Sequence, residues 1–463
     1  MAGIAGISEP GKQTQVNKMV ERIYTRGKGH QKAIETPFVT MQAVWSDAER
    51  GRKSDFLQKN AVWDGVNLPE DLPEELPGWN EPFALAAASE DGFILARDML
   101  GVKPLYYGKV DDALAFASEV KALLAITNDI HEFPAGSWYT PKKGFQTFSK
   151  LEPGIPLREG PMSIADELRK KLDAAIECRV VSDSMGSWLS GGVDSSVIAV
   201  LARKYVHEFH SFVSGVSGAD DIKYGTEMAE FLGTTHHVIT VNLQDMLRVL
   251  PEVIYHLESF DALLVRSSVT NYLTGKVVSD YVGAVFSGEA GDELFAGYDY
   301  IKQIPEKEIT AELQDITLRL HNTALQRVDR SAYAHGVMPM VPFTDTNVVE
   351  YAFRIPAKYK VYREGEKATE KWILRKAVDG LVPDSILWRP KAKFWQGAGV
   401  REILHDHAAN AISDADFARE RKLPNGWSLH SKEELMYYRI FREQFGELPS
   451  LDWMGRTKGA PVE

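Results

Sequence analysis

The sequence predicts an α/β protein with two domains, residues 1–155 and 160–463. Three patterns carry that prediction. In the first domain, short apolar runs are separated by turn residues, which is typical of β-hairpins. In the second, strand-like runs alternate with helix-like runs, which is typical of a parallel sheet covered by helices. From Ile309 onward the pattern is mostly helical. Residues 150–161, KLEPGIPLREGP, are the predicted linker.

Hairpin patterns dominate the first domain. Residues 83–98, FALAAASEDGFILARD, contain two apolar runs around an Asp-Gly turn. Residues 105–118 and 135–150 repeat this arrangement with other turn residues. Residues 67–82, NLPEDLPEELPGWNEP, hold four prolines and several acidic side chains, so we expect a surface loop there.

Helix and strand patterns alternate after the linker. Residues 163–178 carry apolar side chains at helical spacing, and Ser163 and Asp166 are the predicted N-cap pair. Cys178 lies beside the apolar face of this helix, and we expect it in the core and not as a nucleophile. Residues 223–233 form the next predicted helix. The strand-like runs are residues 185–189, 209–215, 236–241 and 282–287.

Composition excludes several classes of function. The chain of 463 residues has a formal net charge of −12, which argues against nucleic acid or an anionic membrane as a partner. Its single cysteine excludes a disulfide framework and a multi-cysteine zinc site. The first residues lack the pattern of a secretory signal, and no apolar run reaches membrane-spanning length. We therefore expect a cytoplasmic protein.

The stretch SGGVDSS, residues 190–196, combines a strand end, a glycine turn and the start of a helix. Gly191 and Gly192 allow backbone N–H groups to approach an oxyanion, and the helix N-terminus favours a phosphate. Hydroxyl donors flank these glycines at Ser190, Ser195 and Ser196. Asp194 would repel a phosphate unless it binds Mg²⁺, which prefers oxygen ligands. A structural turn with a capping aspartate is the simpler alternative.

A second stretch, SGEAGDELFAGY at residues 287–298, has a similar arrangement. Ser287 and Gly288 follow a strand-like run, and Asp292 comes at a comparable distance from the turn. Ligands of open parallel sheets bind at the carboxyl ends of the strands. Two aspartates from two strand ends could therefore hold one metal ion, which favours a phosphate site over a structural turn.

Together these stretches resemble the synthetase domain of class B asparagine synthetases and of their relatives, the β-lactam synthetases. The resemblance covers nearly the whole chain. RDMLGVKPLYYG (97–108) and FASEVKALL (116–124) are similar to the family's amino-terminal domain, and EKWILRKAV (370–378) and LWRPKAKFWQGAG (387–399) to its synthetase domain. The resemblance implies a degenerate N-terminal-nucleophile αββα domain, of the class II glutamine amidotransferase type, followed by an N-type ATP-pyrophosphatase domain. It also implies ATP and Mg²⁺ as cofactors in amide formation through an acyl-adenylate.

The resemblance also implies roles for individual residues. Asp194 and Asp292 match the positions that bind magnesium. Lys391 matches a lysine that neutralises charge on the phosphates and the adenylate, and Glu289 matches a glutamate that takes a proton from the amine. Lys371 matches a lysine near the phosphates, although a position on a helix surface is an equal alternative. The residues that match the nucleotide site are Leu189, Ser190, Gly191, Gly192, Asp194, Ser195, Ser196, Val213, Ser214, Ser287 and Gly288.

The amino terminus departs from the family pattern Met-Cys-Gly-Ile. Ala2 stands where the family has its nucleophilic cysteine, so the chain lacks the group that attacks glutamine. WDGVNL (63–68) is a faint echo of the family's NGEIYN, and the segment that carries a Gly-Ser-Asp is absent. Lys28 replaces the proline of the family's Arg-Gly-Pro-Asp-Gly. We expect an inactive glutaminase domain, with free ammonia or a small amine as the nucleophile.

The predicted acceptor pocket departs as well. It comprises Arg266, Met338 and Met340, and the two methionines replace the Glu and Arg of the family's GVEARVPFLD. Loss of these charges argues against aspartate as the carboxylate. Glu289 is kept where β-lactam synthetases carry tyrosine, which favours an external amine over ring closure.

The expected partners are a small carboxylate and ammonia or an amine, with a homodimer as an allowed assembly. Three alternatives stay open at this point. One is an intramolecular cyclase of the β-lactam or lasso-peptide type. Another is a tRNA-thiolating pyrophosphatase, which the single cysteine and the acidic charge disfavour. The third is a nucleotide-binding scaffold without catalysis, which the intact motifs disfavour.

Overall fold

The computed structural model describes residues 2–27, 29–46, 60–89, 92–389, 397–399 and 401–458. Two antiparallel sheets occupy the N-terminal part. Their strands are β1 (Ala2–Ile7), β2 (Gly29–Glu35), β3 (Thr40–Ser46), β4 (Ala61–Asp64), β5 (Ala84–Ser89), β6 (Gly92–Arg97), β7 (Tyr106–Val110), β8 (Ala113–Ala117), β9 (His131–Glu132), β10 (Ser137–Thr140) and β11 (Gly144–Thr147). The strand orders are β2-β3-β1-β8-β7-β9 and β11-β10-β6-β5-β4.

The hairpin predictions are confirmed, since β5 pairs with β6, β7 with β8, and β10 with β11, each antiparallel. Alternation along β1 explains how the two sheets stack. Ile4 packs into the apolar core between the sheets, whereas Ala5 and Ile7 face the helix α1 (Gln13–Arg22) on the other side. Residues 67–82 form a loop with one short 3₁₀ turn, as expected.

A third sheet carries the second half of the fold, and its strands are all parallel. They are β12 (Ser184–Trp188), β13 (Glu208–Gly215), β14 (Thr235–Thr240), β15 (Ala284–Phe286) and β16 (Met338–Met340). The order β14-β13-β12-β15-β16 confirms the four predicted strands and adds β16 at the edge, where Pro339 is tolerated. Successive strands run outward from β12 on one side, and β15 starts the other side. The two motif-bearing strands, β12 and β15, are therefore neighbours at the point where the order reverses.

Helices connect and follow these strands. With α1 already given, they are α2 (Val120–Leu123), α3 (Pro161–Glu177), α4 (Val193–Ala202), α5 (Asp220–Leu232), α6 (Leu243–Leu257), α7 (Ala262–Val278), α8 (Gly291–Phe295), α9 (Glu306–Leu318), α10 (Ala324–Tyr333), α11 (Thr346–Arg354), α12 (Ala357–Lys360), α13 (Trp372–Ala377), α14 (Asp384–Leu387), α15 (Arg401–Ala411), α16 (Asp414–Glu420) and α17 (Lys432–Phe445). A hairpin of β17 (Val361–Glu364) and β18 (Lys367–Glu370) interrupts the helical C-terminal part.

Two predictions about α3 are wrong. The helix begins at Pro161 with Gly160 as its N-cap, so Ser163 and Asp166 do not cap it. Proline fits the first helical position because its missing N–H would have no partner there. Cys178 is exposed and not part of the core, because the helix ends at Glu177 and Cys178 is its C-cap residue.

One buried apolar cluster contains residues of both parts of the chain. Ile7 and Val20 of the N-terminal part belong to the same buried cluster as Val253 and Val265 of α6 and α7. Residues 151–158, within the predicted linker, have no regular secondary structure. Among the described residues, no helix combines the length and the apolar character needed to cross a bilayer.

Candidate active site

The two glycine turns lie side by side at the carboxyl edge of the parallel sheet. β12 and β15 are paired through Ser187 and Phe286, close to where each turn begins. Each turn leads into a helix with an aspartate in its first turn, Asp194 in α4 and Asp292 in α8. The adjacency that the sequence pattern predicted is therefore present in the fold.

Glycine is required in these turns by close packing. Gly191 has φ +67°, and a Cβ there would lie 2.3 Å from the backbone carbon of Tyr224. A Cβ on Gly288 would lie 2.7 Å from the backbone nitrogen of Ser195, so the second turn packs directly against the first. Ser195 in turn donates its hydroxyl to the Gly192 carbonyl at 3.0 Å. The second turn therefore packs against the N-terminus of α4, the end of a helix that favours anions.

Asp194 and Asp292 converge on one cation, the ammonium of Lys371. Lys371 forms a close ion pair with Asp194, and its Nζ lies 2.5 Å from Asp292 Oδ1. The Lys371 side chain is only 1% exposed, so the alternative of a helix-surface lysine is wrong. Two carboxylates from two strand ends therefore do meet at a single point.

A cavity of about 260 Å³ opens over this point. Among the sequence-predicted residues, the ones that line it are Leu189, Ser190, Gly192, Asp194, Ser195, Val213, Ser214, Ser287, Gly288, Glu289, Asp292 and Lys371. Gly191 and Ser196 lie just behind this wall, Gly191 in the turn and Ser196 buried in α4. Lys391 falls outside the described residues.

The predicted acceptor residues do not line the cavity. The Arg266 side chain points away to a buried ion pair with Glu433 of α17. Met338 and Met340 are buried in the apolar core, on the edge strand β16 that pairs with β15. Other side chains of α7 line the cavity, namely Leu263, Leu264, Ser267, Asn271 and Thr274.

Glu289 faces the cavity in an ion pair with Arg327 of α10. The neighbouring Glu293 is buried, and burial together with the charge of Asp292 raises the pKa of its carboxyl. Tyr298 donates a hydrogen bond to Glu293. The wall near Glu289 thus contains two different acids. The Glu289 carboxylate is held by the Arg327 guanidinium, whereas burial favours the neutral form of Glu293.

The carboxylate pair fits Mg²⁺ carried by a nucleotide. Mg²⁺ is usually bound through one or two carboxylates plus phosphates and waters, not by an all-protein cage. Within the described ranges, no group of three or more His, Cys, Asp or Glu side chains forms a metal cage. Asp194 and Asp292, in the first turns of α4 and α8, are a donor set that suits such an arrangement.

Several residues of the site escaped the sequence analysis. Arg389 donates to the Ser190 carbonyl at 2.8 Å and pairs with Asp221 at 2.7 Å, so it anchors the first turn from the cavity wall. Arg327 pairs with Glu289 from a helix that follows the second turn by some thirty residues. Thr457 and Lys458 reach the cavity from the C-terminal segment. No local pattern marks these residues, because only long-range packing brings them to the site.

A buried charge network surrounds Ala2. The Ala2 N–H donates to Asp64 Oδ1 at 3.1 Å. Arg26 donates to the Ala2 carbonyl at 3.3 Å and pairs with Asp64, Glu119 and Asp329 at 2.6–2.8 Å. All these side chains are almost completely buried. Because Asp329 belongs to α10, the network ties the amino terminus to the helix that carries Arg327.

Comparisons with known proteins match both parts of the chain to protein families. The asparagine synthase family model matches residues 167–314 and 305–458, and a glutamine amidotransferase domain model matches residues 67–125. Asparagine synthetase B (glutamine-hydrolyzing) of Escherichia coli strain K12 is 33% identical over 461 residues, covering 94% of this chain and 82% of that protein. Asparagine synthetase (glutamine-hydrolyzing) 2 of Lotus japonicus is 34% identical over 390 residues, covering 78% of this chain and 65% of that protein.

The solved structure of NMN synthetase from Francisella tularensis overlaps 63% of this chain and 97% of its own, with a TM-score of 0.29 and 15% identity. That likeness is too low to carry an argument. The family model, by contrast, matches more than half of the chain, and the bacterial relative is similar over nearly all of it. This chain therefore belongs to the asparagine synthase family and is an AMP-forming carbon–nitrogen ligase that uses ATP and Mg²⁺.

Proposed function

We propose that the chain adenylates a small carboxylate with release of pyrophosphate and transfers the acyl group to ammonia or a small amine, without hydrolysing glutamine. The observation that carries this proposal is the convergence of Asp194 and Asp292 on one cation beside two glycine turns. Such a cluster suits a triphosphate with its metal ion and needs no further protein ligand.

Each group in the cavity has a proposed task. The backbone of the two turns, with Ser190 and Ser195, binds the pyrophosphate portion of ATP. Lys371, and Lys391 by resemblance, neutralise charge that develops on the phosphates and the acyl-adenylate. Glu289 takes a proton from the incoming amine, and Arg327 orients its carboxylate toward the cavity. Leu189, Val213 and Ser214 contact the nucleoside.

The carboxylate is proposed to bind between α7 and the α9–α10 segment. This part of the cavity wall mixes apolar and neutral polar groups, and its members include Leu263, Ser267, Asn271, Ile316, Thr323 and Ala324. Arg319 and Lys458 at the same wall are paired with Asp315 and Glu312. The wall therefore offers little unbalanced charge, which suits a carboxylate other than aspartate.

The absence of glutamine hydrolysis is supported by the surroundings of residue 2. Alanine there has no nucleophilic atom, and its backbone is held by Asp64 and Arg26 inside a closed charge network. The Arg26 guanidinium beside it is buried and held by three carboxylates. The cytoplasm stays our proposed compartment, because a reaction that consumes ATP needs an ATP supply.

A pyrophosphate-release assay over a panel of carboxylates tests the proposal. Each carboxylate is supplied with ATP, Mg²⁺ and either ammonium or glutamine, and product amide is identified by mass. We expect release to depend on one carboxylate class and on ammonium or an added amine, and to rise with pH as free ammonia accumulates. Asp194→Asn and Asp292→Asn should abolish release, whereas Asp183→Asn on the exposed loop before β12 should not. Release without any added amine, with a cyclised product, would instead identify an intramolecular cyclase.

A further inference from the structure

Lys371 stands where a metal ion shared by Asp194 and Asp292 would stand. Its ammonium contacts both carboxylates, and its side chain is 1% exposed. The backbone of Lys371 has φ +54°, the left-handed region that is strained for a residue with a side chain. Strain of this kind persists where the surrounding structure fixes a functional geometry.

The pocket around this ion pair is closely packed. A Cβ on Gly297 would lie 1.9 Å from Asp292 Oδ1 and 2.2 Å from Lys371 Cε. A Cβ on Gly291 would lie 2.6 Å from Asp194 Oδ1. The two glycines leave room for the three charged groups, and the Lys371 ammonium already lies between the two carboxylates.

An ammonium and a divalent ion also repel each other at this distance. Both are attracted to the same two carboxylates, and their mutual repulsion is weakly screened in a buried site. A divalent ion can therefore bind both carboxylates only when the ammonium has another anion to contact. In the proposed function, the triphosphate of ATP would bind at the N-terminus of α4 and supply that anion.

We propose that Lys371 acts as a built-in cation that excludes divalent metal from Asp194 and Asp292 until a nucleotide triphosphate draws its ammonium away. The metal then enters only together with the nucleotide. This inference rests on the proposed function, since it takes the two aspartates as the metal ligands. It adds a second task for Lys371 beyond the neutralisation of phosphate charge.

Binding of Mn²⁺ alone tests the inference without any turnover. Free Mn²⁺ is followed by electron paramagnetic resonance in titrations of the full chain, with and without a non-hydrolysable ATP analogue. The analogue binds Mn²⁺ by itself, so binding to the chain is the loss of free Mn²⁺ beyond that in the same mixture without protein. We expect the native chain to bind Mn²⁺ only with the analogue. Lys371→Met should bind Mn²⁺ alone at least about tenfold more tightly than the native chain, because the competing charge is gone. Lys371→Gln keeps a polar end and serves if the methionine variant does not fold.

Two further variants make the result specific. Lys302→Met is the matched control, since Lys302 also bridges two carboxylates, Asp299 and Glu370, but does not line the cavity. It should leave Mn²⁺ binding as in the native chain. Adding Asp292→Asn to Lys371→Met should remove the new binding.

Each other outcome has its own meaning. If the native chain and Lys371→Met bind Mn²⁺ equally well without the analogue, Lys371 does not exclude the metal. If Asp292→Asn removes that binding, the proposed metal site still stands. If both the native chain and Lys371→Met bind Mn²⁺ only with the analogue, exclusion by Lys371 is also refuted, because another group would then exclude the metal. Failure of the native chain to bind Mn²⁺ even with the analogue would refute the proposed metal site itself.

Discussion

Glu289 and Arg327 form the contact at the cavity wall where the second half-reaction is proposed to occur. A base for the amine is needed only after the adenylate has formed, so its loss separates the two steps. Glu289→Gln should lower amide formation about 10²–10⁴-fold, the range for loss of a general base, and leave ATP–pyrophosphate exchange largely intact. Glu308→Gln, on the exposed face of α9, is the control. Equal losses in both steps would assign Glu289 to binding.

Lys360 is a buried lysine whose pKa is lowered to about 7 by burial. In the unfolded chain its pKa is near 10.5. Between these values the unfolded state binds more protons, so the free energy of unfolding falls as pH drops from about 10 toward 7.

Lys360→Met removes this penalty while keeping an apolar side chain of similar length. We expect the variant to be more stable than the native chain at pH 7 by about 2–4 kcal/mol, since one pKa unit corresponds to about 1.4 kcal/mol. The gain should shrink toward pH 10. Urea unfolding at pH 7 and pH 9.5 measures the gain in stability and its decrease with pH. Lys358→Met, at an exposed position, is the matched control. If the gain in stability did not depend on pH, it would come from packing alone and not from the lowered pKa of Lys360.

The contact between the two glycine turns fixes how the elements of the site are placed relative to one another. α4 and the β15–α8 turn approach so closely that Gly288 has no room for a methyl group beside the Ser195 backbone. The contact places the N-terminus of α4 beside the turn that leads to Asp292. A backbone atom cannot yield as a side-chain end can, so the two elements would have to separate.

Gly288→Ala should therefore cost about 1–3 kcal/mol of stability, as overpacking does, and weaken ATP binding by more than that loss alone explains. Gly160→Ala is the control, because Gly160 has open space around its Cα and caps α3 away from the cavity. Isothermal titration with an ATP analogue and urea unfolding give the two quantities. Unchanged nucleotide affinity in Gly288→Ala would show that the close approach serves packing alone.

A network of buried ion pairs around Arg26 joins the N-terminal part to the ligase part. The guanidinium joins Asp64 of β4 and Glu119 beside α2 to Asp329 of α10, and Arg330 of α10 pairs with Glu258 after α6. Breaking a buried pair leaves a charge without compensation, which is strongly destabilising. We therefore interpret the retained N-terminal part as a support for α10 and for the Glu289–Arg327 pair.

Restoring a nucleophile should not restore glutamine use. Ala2→Cys supplies a thiol, but Arg26 still binds the residue 2 carbonyl, and the family's Gly-Ser-Asp segment is still missing. We expect neither the native chain nor the variant to form glutamate from glutamine labelled at the amide nitrogen. Mass spectrometry of the product with ammonium as the positive control measures label transfer. Glutamate formed in step with labelled amide in the native chain would refute the inactive glutaminase.

Local patterns in the sequence determined the three hairpins, the four strands around the motifs and the two turns with their aspartates. They did so because turn residues, apolar periodicity and glycines act on their immediate neighbours. Local patterns failed at the ends of α3, where Pro161 and Gly160 decided the boundary. They also failed for Cys178, whose exposure depends on where the helix stops.

Only the tertiary structure decided which side chains face the cavity. Arg266 belongs to the same helix as Leu263 and Ser267, which line the cavity. Its side chain instead pairs with the buried carboxylate of Glu433, 167 residues away in the sequence. Lys371 becomes the bridge between two aspartates because β18 and α13 deliver it to the sheet edge from far along the chain. Sequence determines which chemical groups are available. Long-range packing, whose partners no local pattern contains, determines which of them meet.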